Sequence, residues 1–267
     1  MSRIESTFLE LNIIGRKALI TYIVAGDPTN KITLSSMHLM AERGVDIIEL
    51  GVPFSDPMAE GPSIQRGHER SLLNKTSMND ILKLVSDFRV VNIKTPLVLM
   101  GYFNPFAAFG VKKFFKLASE AGVDGVLVVD MPLEESKQFN IFAKENGVDI
   151  IRLIAPTTTI LRAKKILQSA SGYIYYVSLN GVTGSNKIDL FDVNEKLRSL
   201  NNITNLPVVV GFGIKDRDTV EAVSKLSSGV VVGSVLVDIM GSSKNESQIS
   251  DLLSKKLNEL ILGLGGR

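Results

Sequence analysis

Short runs of β-branched and other apolar residues recur along the chain, each followed by a loop and then by a stretch of helical period. The runs are "ALITYIVA" (18–25), "DIIEL" (46–50), "PLVLM" (96–100), "GVLVV" (125–129), "DIIRLI" (149–154), "GYIYYVS" (172–178), "PVVVGF" (207–212) and "GVVVG" (229–233). Most are apolar without a break instead of alternating, the pattern of parallel strands covered on both faces. Three of the approaches share a phrase: "AERGVDII" (41–48), "ASEAGVDGV" (118–126) and "AKENGVDII" (143–151). In each, a helix ends on Gly just before a strand begins, which predicts a left-handed helix C-cap. Eight strands alternating with helices predict an α/β chain folded as a closed (β/α)₈, or TIM, barrel. Ahead of the first strand, "MSRIESTFLELN" puts Ile4, Phe8 and Leu11 on one face of an extra N-terminal helix. A doubly wound open sheet is the competing fold, but no G-x-G-x-x-G follows the first strand. No Pro/Gly/Ser-rich linker interrupts the pattern, so residues 1–267 are expected to form a single domain.

Composition narrows the function classes. The 267 residues are 45% hydrophobic and 22% charged, enough apolar material for a large core. A net charge of +2 without a run of basic residues argues against a nucleic-acid partner. No apolar stretch reaches the roughly 18 residues of a membrane span. The amphipathic start lacks the charged tip and apolar segment of an export signal. A cytoplasmic protein without membrane contact is expected. The absence of cysteine excludes disulfides, thiolate metal sites and a cysteine nucleophile.

In a (β/α)₈ barrel, catalytic groups sit at the C-terminal ends of the strands, which sorts the polar residues by position. Glu49 is one residue from the end of the second run, among Ile47, Ile48 and Leu50. A carboxyl group in apolar surroundings has a raised pKa, which suits a proton carrier near neutral pH. A solvated rim carboxylate is the plainer alternative, and the strand-end position favours catalysis. The next loop, within "ELGVPFSDPMAEGP", carries Asp56 and Glu60 and is stiffened by Pro53, Pro57 and Pro62. An Asx turn before Pro57 is a sufficient explanation of Asp56. Three late loops are glycine-rich: "NGVTGS" (180–185), "GFG" (211–213) and "GS" (233–234). Barrels often bind phosphate in the loops after strands seven and eight, where Gly lets backbone N–H groups approach, and Ser234 can add a hydroxyl. Of the two histidines, His38 falls in a helical stretch and His68 lies beyond the Glu60 loop. Neither ends a strand, so a zinc aldolase site lacks ligands and no metal is expected. Lys215 stands at the start of a helix and not at a strand end, which disfavours imine chemistry. Acid–base chemistry by carboxylates on a phosphorylated substrate remains.

At this point "ITYIVAGDP", "IIELGVPFSDPMAEGPSIQ", "LMGYFNP", "GVDGVLVVDMP", "YYVSLNGVTGS", "VVVGFGI" and "VVVGS" together resemble the α chain of tryptophan synthase, in order and spacing, from about Ala18 to Ser234. The resemblance implies a (β/α)₈ lyase that splits indole-3-glycerol phosphate into indole and glyceraldehyde 3-phosphate without a cofactor of its own. It implies an α₂β₂ tetramer, with pyridoxal phosphate only in the β chain that receives the indole. Glu49 then matches the family's general acid/base. Glu60, in "AEGP", stands where the family usually has Asp in "ADGP", and is expected to accept a hydrogen bond from the indole N–H. Tyr22, Met100, Tyr102, Leu127 and Leu153 match positions around the indole ring, with Tyr22 where Phe is common. For Met100 and Leu127, filling of the barrel core is the alternative. Tyr175 matches a residue near the catalytic acid and Thr183 one in a lid loop, while Gly184, Gly213, Gly233 and Ser234 match the phosphate cradle. Apolar and rigid residues crowd two loops of the same rim, in "PFSDPMAEGP" and "YFNPFAAFG". With the resemblance, Pro53, Asp56, Pro57, Asn104, Pro105 and Phe106 become the expected β-chain interface. Two other readings keep the barrel: an isomerase, which leaves "ELGVPFSDP" unexplained, and an inactive activating subunit, whose one support is Glu60.

Overall fold

The computed structural model describes residues 1–177, 190–211, 213–243 and 245–265. Eight strands pair in chain order and close into a barrel: β1 (Ala18–Val24), β2 (Ile47–Gly51), β3 (Leu97–Gly101), β4 (Gly125–Val128), β5 (Asp149–Ile154), β6 (Ile174–Val177), β7 (Val208–Gly211) and β8 (Gly229–Val232). Every pair is parallel, including the closing pair of β8 with β1. The helices of the first half are α1 (Arg3–Ile13), α2 (Asn30–Glu42), α3 (Pro62–Leu73), α4 (Met78–Val91), α5 (Phe103–Phe109) and α6 (Val111–Ala121). Those of the second half are α7 (Lys137–Glu145), α8 (Ile160–Leu167), α9 (Leu190–Asn201), α10 (Arg217–Ser224), α11 (Ser234–Met240) and α12 (Glu246–Leu262). The three glycines of the repeated entry phrase all have left-handed backbone, with φ of +90° at Gly44, +93° at Gly122 and +66° at Gly147. Among the described residues no helix is long and apolar enough to cross a membrane.

Although the strands are apolar without a break, their residues divide by alternation between two layers, as burial on both faces requires. Ile20, Ile47, Val98, Leu127, Ile151, Val209 and Val231 fill the barrel. Leu19, Ile48, Leu99, Val126, Ile150, Val208 and Val230 face the helices. Each such side chain contributes roughly 1.5–3 kcal/mol by leaving water. Helix α1 starts at the Ser2 cap. Its Ile4, Phe8 and Leu11 join the inner layer, and the Phe8 ring stands 5.9 Å from that of Tyr173. The N-terminal ends of the strands are thereby plugged, and the chemistry is left to the opposite end.

Helix α3 is seated hard against that opposite end. A Cβ on Gly67 would lie 2.7 Å from Val237 Cγ1, so only Gly allows this approach to α11. Arg70 donates from Nε and NH2 to the buried Asp27 carboxylate after β1, at 2.6 and 2.7 Å. The loop between β2 and α3, which carries Glu60, is held between two fixed elements.

Candidate active site

A cavity of about 310 Å³ opens at the C-terminal ends of the strands, lined by Tyr22, Glu60, Ile64, Met100, Tyr175, Gly213, Lys215, Gly233 and Ser234, among others. It falls at the lower end of the roughly 300–1,000 Å³ that small-molecule sites occupy. A larger cavity of about 690 Å³ lies at the plugged end, between α1 and residues such as Asp149, Gly172 and Ser228. None of the expected site residues lines it, and that end of a barrel serves stability.

Glu49 points into the barrel from the top of β2, opposite Tyr22 of β1, and has no exposed surface. Oε1 accepts a hydrogen bond of 2.5 Å from the Tyr173 hydroxyl. Oε2 is buried without a hydrogen-bonding partner among the described residues. Burial pushes its pKa up to about 8, the Tyr173 hydrogen bond lowers it, and nearby Glu60 raises it. The group therefore holds a proton at neutral pH and has one oxygen free to deliver it. Glu60 lines the cavity and is nearly buried, and desolvation raises its pKa to about 7. The two tyrosines that flank this region need strand glycines as neighbours. A Cβ on Gly51 would come within 2.2 Å of Tyr22 Oη, and one on Gly211 within 2.0 Å of Tyr175 Oη.

The loop before Glu60 is pinned from several sides. Phe54 N–H donates to His68 Nδ1 at 3.0 Å, and Ala59 N–H to Tyr102 Oη at 3.0 Å. Phe54 also stacks on Tyr102, with ring centres 5.2 Å apart. The Glu60 carbonyl accepts from Gln65 Nε2 at 2.8 Å, so the backbone of the acid is fixed to α3.

The structure brings most of the expected residues together and moves some. Tyr22, Glu60, Met100, Tyr175, Gly213, Gly233 and Ser234 share the cavity wall, while Glu49 and Leu127 are buried in the barrel and do not line it. Tyr102 stands behind the Glu60 loop as its support and is off the wall. The hydroxyl bonded to Glu49 is that of Tyr173, and Tyr175, on the cavity wall, stands close enough to feel the Glu49 charge. Thr183 and Gly184 lie outside the described residues. On the rim, Asp56 and Asn104 are exposed and Pro57 and Pro105 half-buried. Of the expected interface residues, Pro53 is buried in this chain and Phe106 is wholly buried against Phe114, 4.8 Å between ring centres, and Phe139. They hold the rim from beneath, and Met58 and Phe103 are the apolar side chains it exposes. Sequence reasoning also passed over Lys215, dismissed as an imine former, and His68, set aside as lying beyond the loop. Lys215 lines the cavity, and His68 faces the Glu60 loop from the buried side of α3.

Among the described residues no group of three His, Asp or Glu side chains is placed to hold a metal. A (β/α)₈ barrel with two buried carboxyl groups of raised pKa, one on a strand end and one on the loop beside it, has the form of an acid–base enzyme. Its family is fixed by its relatives. The family model described as tryptophan synthase alpha chain matches residues 8–260. The tryptophan synthase alpha chain of Marinobacter nauticus is 49% identical over 261 residues, covering 98% of this chain and 96% of that one. The crystal structure of tryptophan synthase subunit alpha from Legionella pneumophila superposes with a TM-score of 0.88 at 37% identity, covering 98% and 99% of the two chains. A Pyrococcus furiosus structure, described as the basis of mutual activation of the tryptophan synthase α₂β₂ complex, superposes with a TM-score of 0.84 at 39% identity, covering 92% and 98%. The chain belongs to the tryptophan synthase alpha chain family, lyases that cleave indole-3-glycerol phosphate in tryptophan biosynthesis.

Proposed function

We propose that Glu49 is the proton carrier of this cleavage and that Glu60 assists it from the cavity wall. Glu49 Oε2 is the supporting observation: a buried carboxyl oxygen with no partner among the described residues, on a group that holds a proton at neutral pH. The indole ring enters between Tyr22, Met100 and Tyr175. Glu49 gives its proton to indole C3, and Glu60 accepts a hydrogen bond from the ring N–H as positive charge develops there. The glycerol hydroxyl next to the breaking bond then returns a proton to Glu49, the C–C bond opens, and indole and glyceraldehyde 3-phosphate leave. Protons balance without water, and a general acid/base in this role contributes on the order of 10²–10⁴-fold. Glyceraldehyde 3-phosphate released by the purified chain, measured with a coupled dehydrogenase, tests the activity. Absence of turnover with and without the β chain would reject it.

The phosphate is assigned to the edge formed by Gly213, Gly233 and Ser234, with Lys215 supplying charge. Gly213 has φ of +75°, so any side chain there strains the backbone and confuses the test. Ser234→Asp is the cleaner variant. It should raise KM about tenfold or more by like-charge repulsion while leaving kcat within a few-fold. An unchanged KM would move the phosphate elsewhere.

The family works with a β chain that holds the pyridoxal phosphate, and the alpha chain needs no cofactor. For this chain, the rim that exposes Asp56, Met58, Phe103 and Asn104 is proposed as the docking face, and the cytoplasm as its compartment. Docking on the loop that carries Glu60 activates the chain if it favours the catalytic loop arrangement. Asp56→Ala and Asn104→Ala should therefore reduce activation by added β chain more than they reduce basal turnover. Equal loss in both would separate this rim from the coupling.

A further inference from the structure

We propose that His68 is a positioning residue for this reaction: its imidazole bridges the cavity-lining Tyr22 to the backbone of the loop that presents Glu60. The inference rests on the cleavage reading above and names the device that sets its loop.

His68 is buried on the inner side of α3, the helix fixed by the Gly67 contact and by the Arg70–Asp27 pair. The ring makes contacts at both nitrogens. Nδ1 accepts from Phe54 N–H at 3.0 Å, so in the neutral ring the proton sits on Nε2, which meets Tyr22 Oη at 3.3 Å. Burial pushes the His68 pKa down to about 4, which keeps the ring neutral and this tautomer in place at working pH. A neutral imidazole has one donor and one acceptor nitrogen, and burial requires both to be met. This one joins a strand residue on the cavity wall to the loop opposite.

The bridge completes a two-point clamp. His68 holds the loop at Phe54 and Tyr102 holds it at Ala59, with the Phe54 and Tyr102 rings stacked between the two points. Glu60 is the next residue, its carbonyl tied to Gln65. With one anchor removed, the Phe54 N–H becomes an unpaired donor facing an apolar side chain, and the segment moves to find another acceptor. His68 does not line the cavity, so its effect on the reaction passes through the two groups it holds, the Glu60 loop and the Tyr22 hydroxyl, and an Asn variant that keeps only the Phe54 acceptor isolates the loop.

The test compares His68→Asn with His68→Leu. The Asn side-chain oxygen falls near the place of Nδ1 and keeps the Phe54 acceptor, whereas Leu offers none. His68→Leu should lower kcat by about tenfold or more, since displacement of a catalytic group by about an ångström is costly. KM and inhibition by inorganic phosphate should stay near wild type. His68→Asn should recover most of the loss in kcat. Amide hydrogen exchange at Phe54 should accelerate in His68→Leu and return towards wild type in His68→Asn. If His68→Leu does not fold, His68→Gln, which reaches the Nε2 position and leaves Phe54 unpaired, takes its place. A kcat unaffected by Leu or Gln overturns the proposal, as does an equal loss in Asn, or a loss that falls on KM. Wild-type turnover tests the cleavage reading separately, and Phe54 exchange reports the anchor whether or not the chain turns over.

Discussion

Glu49→Gln should retain the barrel and its affinity for inorganic phosphate while losing on the order of 10²–10⁴-fold in cleavage. The amide matches the carboxyl in size, and it can still accept from the Tyr173 hydroxyl. It has no proton to give at ordinary pH. Residual turnover within tenfold of wild type, in a preparation free of contaminating enzyme, would remove Glu49 from the proton path. The same variant should be more stable than wild type in a defined pH window. The Glu49 pKa rises from an ordinary 4.5 to about 8 on folding. Between those values the unfolded chain has released a proton that the folded chain still holds, so wild-type stability falls as pH rises through the window. Gln has no such dependence. Chemical denaturation at pH 5 and pH 8.5 should show the variant gaining on wild type, by an amount of the order of a few kcal/mol at the higher pH. A buried acid of this kind is a stability cost, which the proposed role in proton transfer accounts for.

Glu60→Ala should lose about 10²-fold or more in kcat, whereas Glu60→Asp should remain within about tenfold of wild type. The loop is pinned at Phe54, Ala59 and the Glu60 carbonyl, so the backbone of the acid stays in place when its side chain changes. Ala removes the acceptor for the indole N–H, and Asp keeps it about one methylene further back. The resemblance makes Asp the usual residue here, which puts Glu60→Asp at the centre of the test. A chain that has lost its chemistry and only activates a partner would show no difference among Glu, Asp and Ala. Equal turnover in wild type and both variants would also direct attention to Asp56, which is exposed on the rim of the same loop.

The barrel was legible because parallel strands buried on both faces leave an unmistakable record of apolar runs, and because three helices end on glycines that the backbone requires in left-handed form. Glu49 was legible for the same reason: one charge in an apolar run at the right end of a strand. The residues that sequence reasoning missed act through distance in the fold. Tyr173 is 124 positions from Glu49 and reads as one more apolar residue of the run before β6, although its hydroxyl reaches Glu49 and its ring meets Phe8. His68 is 14 positions from Phe54, on a helix face whose burial depends on β1 and α11. Loop position alone does not reveal which rim residues turn inward, and α5 folds Phe106 onto Phe114 and Phe139 while Pro53 is buried. Lys215 was judged only for imine formation, and its place on the cavity wall needs the closed barrel to bring β7 and β8 beside β1.

The most direct measurement is the titration of the Glu49 carboxyl itself, by carbon NMR of glutamate-labelled protein, with Glu49→Gln supplying the assignment by difference. The expected result is a carboxyl that stays protonated through neutral pH and titrates around 8. A Glu49 signal that titrates with the exposed glutamates, near their ordinary 4.5, would contradict its role as the acid of the cleavage.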